Sequence, residues 1–253
     1  MLNSEPTPMP AAHELRRDQG SVVTIVRAGT VDYATAWQWQ RDLAERRRNG
    51  EIDDVVLLLE HPAVFTAGRR ADPANLVFDE EERARRGIEV IEVDRGGDFT
   101  YHGPGQLVGY PILTLKGIRG VVEYVRALEA VNIVAAAKFG IAGQRLADFT
   151  GVWVDAPGEQ LQKLTAIGVR VGTGGVTQHG FAMNVTTHLD DFLGIVPCGI
   201  TDKGVCSLAS LGVPEITVDR ASDAIVDAIR EILRCEVREA SPSDLGLTVS
   251  SLP

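Results

Sequence analysis

The chain has 253 residues, 44% of them hydrophobic and 24% charged, with a net charge of −10. That length supports one large domain or two small ones with ample core, and the acid excess argues against a general nucleic-acid binder. No apolar run is long enough to span a membrane, and residues 1–20 lack the apolar centre of a secretory signal, so a cytoplasmic protein is expected. The three cysteines, Cys198, Cys206 and Cys235, are odd in number and contain no C-x-x-C pair. They fit reduced thiols better than a disulfide framework or a zinc cage.

In chain order, residues 1–20 read as a flexible leader, and Val22–Val26 as a short strand. Thr30 or Asp32 can cap a helix running to Arg48 and closed by Asn49-Gly50. Asp53–Glu60 holds the unbroken apolar run Val55-Val56-Leu57-Leu58-Leu59, the pattern of a strand buried on both faces. Glu80–Arg86 predicts a charged helical turn, and Ile88–Val93 and Leu107–Leu113 predict strands. A long helix is expected from Gly120 to about Phe139. Thr150–Val154 and Leu161–Val171 read as strands joined by a turn at Pro157-Gly158, with Gln178–Val185 as a further strand. Val218–Leu233 predicts an amphipathic helix, followed by a loose tail from 239 to 253. Strands and helices mix without strict alternation, so residues 21–238 are expected to form one α/β (α+β) domain, a mixed sheet flanked by helices.

The connector between the strands ending at Val93 and starting at Leu107 is unusual. Arg95–Gln106 carries four glycines, a proline, an arginine and a histidine. Glycines let backbone approach a ligand closely, and Arg95 and His102 bracket them with polar chemistry. A glycine-rich hairpin with a surface histidine would look the same.

Only four lysines occur, at 116, 138, 163 and 203. Strand alternation puts Lys163 on one face with Leu161, Thr165, Ile167 and Val169. Either its ammonium snorkels to water, or it stays partly buried and stabilises a nearby anion. Cys198, in the loop Pro197-Cys198-Gly199-Ile200, is a candidate for that anion, because a thiol in such a loop near a cation favours thiolate. Cys206 and Cys235 read as structural thiols in helical contexts. His102 and His179 each sit beside a glycine, His61 precedes Pro62 where it can line a site, and His13 and His188 read as surface groups.

Arg95-Gly96-Gly97-Asp98-Phe99-Thr100-Tyr101-His102-Gly103-Pro104-Gly105-Gln106 with the strand after it, Lys163-Leu164-Thr165-Ala166-Ile167-Gly168-Val169-Arg170, and His179-Gly180-Phe181-Ala182-Met183-Asn184 with Pro197-Cys198-Gly199-Ile200 beyond it, together resemble the octanoyltransferases of lipoate biosynthesis. The resemblance runs from about Val22 to about Leu233. It implies the biotin/lipoate protein ligase catalytic fold. It implies transfer of an octanoyl group from octanoyl-acyl carrier protein to a lysine of lipoyl domains, including those of 2-oxoacid dehydrogenase complexes and the glycine cleavage H protein. Under it, Cys198 matches the acyl-thioester nucleophile, and Lys163 the lysine that lowers its pKa and moves protons. The substrate-contacting segments match Arg95, Gly96, Gly97, Asp98, Phe99, Thr100, Tyr101 and His102; Ala166, Ile167 and Gly168; and His179, Gly180, Phe181 and Ala182. No cofactor, metal or nucleotide is expected, since a thioester is already activated, and no nucleic-acid or membrane partner; a monomer is expected.

Three other activities fit parts of the pattern. An ATP-dependent lipoate or biotin ligase would share the fold but need no nucleophilic cysteine. A non-catalytic lipoyl-domain or acyl-carrier binding module would not need Cys198 and Lys163 together. A cysteine hydrolase would pair Cys198 with His102 or His179 and release free fatty acid. For docking of an acidic carrier, Arg69-Arg70 and the cluster Arg83, Arg85, Arg86 are the candidate basic patches.

Overall fold

The computed structural model describes residues 22–115, 120–155, 161–196 and 203–248. Its main sheet has eight strands: β1 (Val23–Thr30), β2 (Asp54–Glu60), β6 (Gln106–Ile112), β7 (Val152–Asp155), β8 (Leu161–Val171), β9 (Thr177–Asn184), β10 (Gly204–Val205) and β11 (Val237–Ala240). They lie in the order β10-β8-β9-β6-β2-β1-β11, with β7 also paired to β8. The pairs β10–β8, β1–β2 and β1–β11 are parallel and the others antiparallel, so the sheet is mixed as expected. A second sheet of three strands joins β3 (Val64–Ala67), β4 (Glu89–Glu92) and β5 (Phe99–His102) in the order β4-β3-β5; β4 falls within the strand expected at Ile88–Val93, while β3, β5 and the separate sheet were not expected.

The helices are α1 (Tyr33–Asn49), α2 (Glu80–Arg86), α3 (Gly120–Ala137) and α4 (Val218–Leu233). Asp32 caps α1 by accepting from the Thr35 N–H, and Gly50, at φ 76°, closes it. The apolar run of β2 is buried on both faces. Val55, Leu57 and Leu59 pack with Ala36, Trp39 and Leu43 of α1, while Val56 and Leu58 join the core under α3 and α4. β6 alternates the same way, with Val108, Tyr110 and Ile112 toward α1 and Leu107 toward α3 and α4. Burying each of these large aliphatic side chains contributes roughly 1.5–3 kcal/mol. Together they make the sheet a rigid base for the connectors at its β8–β9 end.

Two sequence expectations need correction here. The tail expected from 239 begins inside β11, which pairs with β1 from Val23↔Val237 to Val26↔Ala240. Beyond it, Leu247 is buried in the α1-side core, and Arg46 donates to the Leu245 carbonyl at 2.6 Å. The segment is short and polar on its outer side, so its edge pairing leaves little periodic trace. Cys206 is not helical. It directly follows β10, outside any helix or strand, its N–H donating to the Lys163 carbonyl, and it is buried as a structural thiol should be. The leader and the turn at Pro157-Gly158 lie outside the described residues.

Candidate active site

Between the two sheets lies a cavity of about 490 Å³, lined from β5, β8, β9, the 95–98 loop and the start of α3. Arg95, Gly96, Gly97, Asp98, Phe99, Thr100, His102, Lys163, Ala166, Ile167, Gly168, His179, Gly180, Phe181 and Ala182 all line it. Of the sequence-derived site residues that the structure describes, only Tyr101 is missing from these walls. Tyr101 points the other way, into the small-sheet core with Phe65 and Phe192, and its hydroxyl donates to Asp191 Oδ2 at 2.9 Å. Alternation along β5 sends Thr100 and His102 to the cavity and Tyr101 away from it. Cys198, with Pro197, Gly199 and Ile200, lies outside the described residues.

The 95–98 loop is fastened to both sheets. Arg95 is buried and donates to the Thr66 carbonyl at 2.6 Å and to Thr66 Oγ1 at 2.8 Å, while the Gly96 N–H donates to the Val169 carbonyl at 3.1 Å. Gly97 holds φ at 94°, which an L side chain resists. At Gly168 a Cβ would sit 3.1 Å from Arg95 Cδ and 3.3 Å from the Gly96 carbonyl oxygen, so glycine lets the loop lie against β8. Asp98 accepts from the N–H groups of Asp72 and Phe99, which ties the loop to the turn that begins at Asp72 after β3.

One wall is a cluster of neutral polar rings. His61 is fully buried; its Nδ1–H donates to the Val31 carbonyl and its Nε2 accepts from the Tyr110 hydroxyl, both at 2.7 Å. Burial pushes its pKa down to about 4. His61 therefore supports Tyr110 from behind rather than lining the cavity. The Tyr33 hydroxyl, pushed up to about 12 by burial, lies beside Tyr110, and its ring stacks on His102 at 5.7 Å. His102 donates from Nδ1–H to Gln106 Oε1 at 2.8 Å, an orientation set because Gln106 Nε2 donates to the Tyr101 carbonyl and to Asn184 Oδ1. Burial holds His102 well below the ordinary histidine range, so Nε2 carries a lone pair.

His179 faces the same cavity. Its φ is 57°, in the left-handed region, in mid-strand. The buried Gln40 side chain accepts its backbone N–H at 2.7 Å. Nε2–H donates to Asp94 Oδ1 at 2.8 Å, and Arg170 holds Asp94 Oδ2 at 2.7 Å. Nδ1 is buried with no hydrogen-bond partner among the described residues. Burial lowers the His179 pKa, and the hydrogen bond from His179 lowers that of Asp94. Asp94 was not singled out from the sequence; an acid directly before the Arg-Gly-Gly loop was the available signal.

The other end of the cavity belongs to Lys163. Its side chain reaches across to Trp153, with Nζ 4.7 Å from the ring centre. On its other side β8 pairs with β10, Lys163 against Val205. Its carbonyl accepts from the Cys206 N–H. Among the described residues no group of three or more His, Cys, Asp or Glu is placed to hold a metal, and no helix is long and apolar enough to cross a membrane.

The two packed sheets, with a glycine-lined cavity between them, define a catalytic domain of the lipoate-ligase fold. The bipartite lipoate protein ligase of Thermoplasma acidophilum aligns with a TM-score of 0.69 over 87% of this chain and 87% of its own, at 16% identity. A lipoate-protein ligase A bound with ATP aligns with a TM-score of 0.65 over 87% and 88%, also at 16% identity. At such identities these likenesses speak for the fold. Sequence carries the activity further. Residues 32–230 match the lipoyl protein ligase A/B catalytic domain. An octanoyltransferase of Koribacter versatilis is 50% identical over 190 residues, 74% of each chain. One from Mycolicibacterium paratuberculosis is 46% identical over 231 residues, covering 89% of this chain and 94% of that one. The chain belongs to the octanoyltransferases, within that catalytic-domain family, and is an acyltransferase of protein lipoylation.

Proposed function

We propose that octanoyl-acyl carrier protein is the donor, that a specific lysine of a lipoyl domain is the acceptor, and that the acyl group passes through a thioester on Cys198. The observation that carries this reading is the position of Lys163. Val205, seven residues after Cys198 in the sequence, is paired with Lys163 across β10 and β8. The chain leaving the nucleophile therefore returns beside the one lysine that lines the cavity among the described residues.

In the first step the Cys198 thiolate attacks the carrier thioester carbonyl. The carbon–sulfur bond to the carrier breaks, and the pantetheine thiol leaves after taking a proton. The Lys163 ammonium favours the thiolate by charge and is the proton donor to the leaving sulfur. In the second step the acceptor amine attacks the Cys198 thioester. Its proton passes to Lys163, an amide forms, and Cys198 is released as thiolate. The tetrahedral oxyanions need donors, and backbone N–H groups of the glycine connectors are the candidates, each worth roughly 3–4 kcal/mol when well aimed. At about 0.8 kcal/mol per buried CH₂, cavity depth is enough to discriminate chain lengths. The acceptors are lipoyl domains of 2-oxoacid dehydrogenase complexes and the glycine cleavage H protein, and the setting is the cytoplasm.

Arg69 and Arg70 are the surface for the acidic carrier. Both are exposed, and Arg70 reaches the cavity rim. The rival cluster is largely spent on its own neighbours. Arg85 and Arg86 both hold Glu82, and Arg86 also holds Asp191 at 2.8 Å. The test is octanoyl transfer to a purified lipoyl domain without ATP. Transfer that disappears in Cys198→Ala supports the reading, and transfer that requires free acid and ATP refutes it.

A further inference from the structure

Lys163 is one of two lysines held on a pair of touching aromatic rings. Its Nζ lies 4.7 Å from the Trp153 ring centre, and Lys203 Nζ lies 4.9 Å from that of Phe149. The two rings meet edge to face with centres 5.9 Å apart. Trp153 is itself fixed. It is 1% exposed, it sits directly opposite Lys163 in the β7–β8 register, and its indole N–H donates to the Phe149 carbonyl at 3.2 Å. The aliphatic stem of Lys163 is confined as well. A Cβ on Gly151 would lie 3.6 Å from Lys163 Cε and 3.7 Å from Cδ, and would meet the Thr165 carbonyl oxygen closely. Gly151 holds φ at 124°, so the backbone there is shaped around that stem.

We infer that Trp153 is a positioning residue for the acyl-transfer step: its ring face holds the Lys163 ammonium at the cavity end, where it sustains the reactivity of the nucleophilic thiol. The inference rests on the reading of Lys163 and Cys198 given above. A lysine on a strand near an open cavity can extend its ammonium into water, and an aromatic face competes with that. The negative face of an indole is the strongest side-chain π site for a cation, and it works best where water is thin. Phe149 braces the ring and engages Lys203, five residues after Cys198 in the sequence. The aromatic pair thus links the lysine to the chain that follows the nucleophile.

The test replaces residue 153 with tryptophans of increasing ring fluorination, which strip the negative ring face with little change in shape. The rate of iodoacetamide alkylation at Cys198 is read by peptide mass spectrometry at neutral pH. The expected result is a graded fall, about three- to tenfold for the most fluorinated ring. Trp153→Phe should fall between wild type and Trp153→Leu, and Cys206, buried in the fold, serves as the control for intact structure by staying unreactive. In a Lys163→Met background the fluorination series should have no further effect. A flat series in the wild-type background, with Lys163→Met still slowing alkylation, overturns the role of Trp153 alone. An alkylation rate unchanged by Lys163→Met refutes the reading of Lys163 and this inference with it.

Discussion

His179 is held to Asp94 by a 2.8 Å hydrogen bond from Nε2, which leaves its buried Nδ1 an acceptor with no hydrogen-bond partner among the described residues. The left-handed backbone at His179 costs of order 1–3 kcal/mol, so the surroundings must hold the ring where it is. Asp94→Ala removes the imidazole's partner and the ion pair to Arg170, which keeps its hydrogen bond to Gln178 Oε1. We expect octanoyl transfer to fall about tenfold or more with the fold intact, read by single-turnover transfer alongside a thermal melt. Asp94→Asn, which keeps an acceptor oxygen for Nε2–H, should retain more activity than Asp94→Ala.

Phe181 has a cavity of about 490 Å³ on one side and a core void of about 20 Å³ on the other. A Cβ at Gly109 would collide with the Phe181 ring. The ring cannot enter the small void, so Gly109→Ala drives it toward the large cavity. The predicted outcome is a shift in donor preference toward chains shorter than eight carbons, measured by competition between acyl donors of different length. An unchanged preference in a folded variant would show that the chain does not pass Phe181.

How far the site was legible depends on which physics each residue obeys. Motif residues such as Gly168 and Arg95 stand out because a close backbone approach and a buried guanidinium leave few alternatives. β2 was legible because five apolar residues in a row leave no exposed face. β5 was not, because four residues amid glycines carry no period, and its pairing to β3 is set by chain far away. The same limit hid the outward turn of Tyr101: a motif names neighbours in sequence, but it does not show that this one side chain of β5 turns into the small-sheet core while Thr100 and His102 line the cavity. Asp94 and Trp153 were invisible as partners because their roles arise from β8 and β9 crossing them in space.

The neutral histidines make stability depend on pH. His61 has its pKa lowered from 6.5 to about 4, and those of His102 and His179 are lowered too. The unfolded chain therefore binds more protons than the folded one as pH falls below about 6.5, and stability rises with pH across that window. For His61 alone the full effect is on the order of 3 kcal/mol. Urea midpoints should fall steadily from pH 7 to pH 4.5, and His61→Gln should flatten part of that slope while lowering stability at pH 7.

Arg69→Glu with Arg70→Glu should weaken binding of an acidic acyl carrier at low salt and reduce its salt dependence, since surface charges are screened over about 10 Å at 0.1 M salt. Arg85→Glu with Arg86→Glu should matter less, because both arginines are already paired with Glu82 and Arg86 also with Asp191. Affinity measured at two ionic strengths separates these outcomes.

The central claim is a covalent acyl-enzyme at Cys198 formed without ATP. Intact-protein mass spectrometry after incubation with octanoyl-acyl carrier protein tests it most directly. The account predicts a thioester-labile octanoyl adduct on the wild-type chain, none on Cys198→Ala, slower formation in Lys163→Met, and discharge when a lipoyl domain is added. Transfer to the lipoyl domain at full rate by Cys198→Ala, with no adduct on either protein, would contradict it.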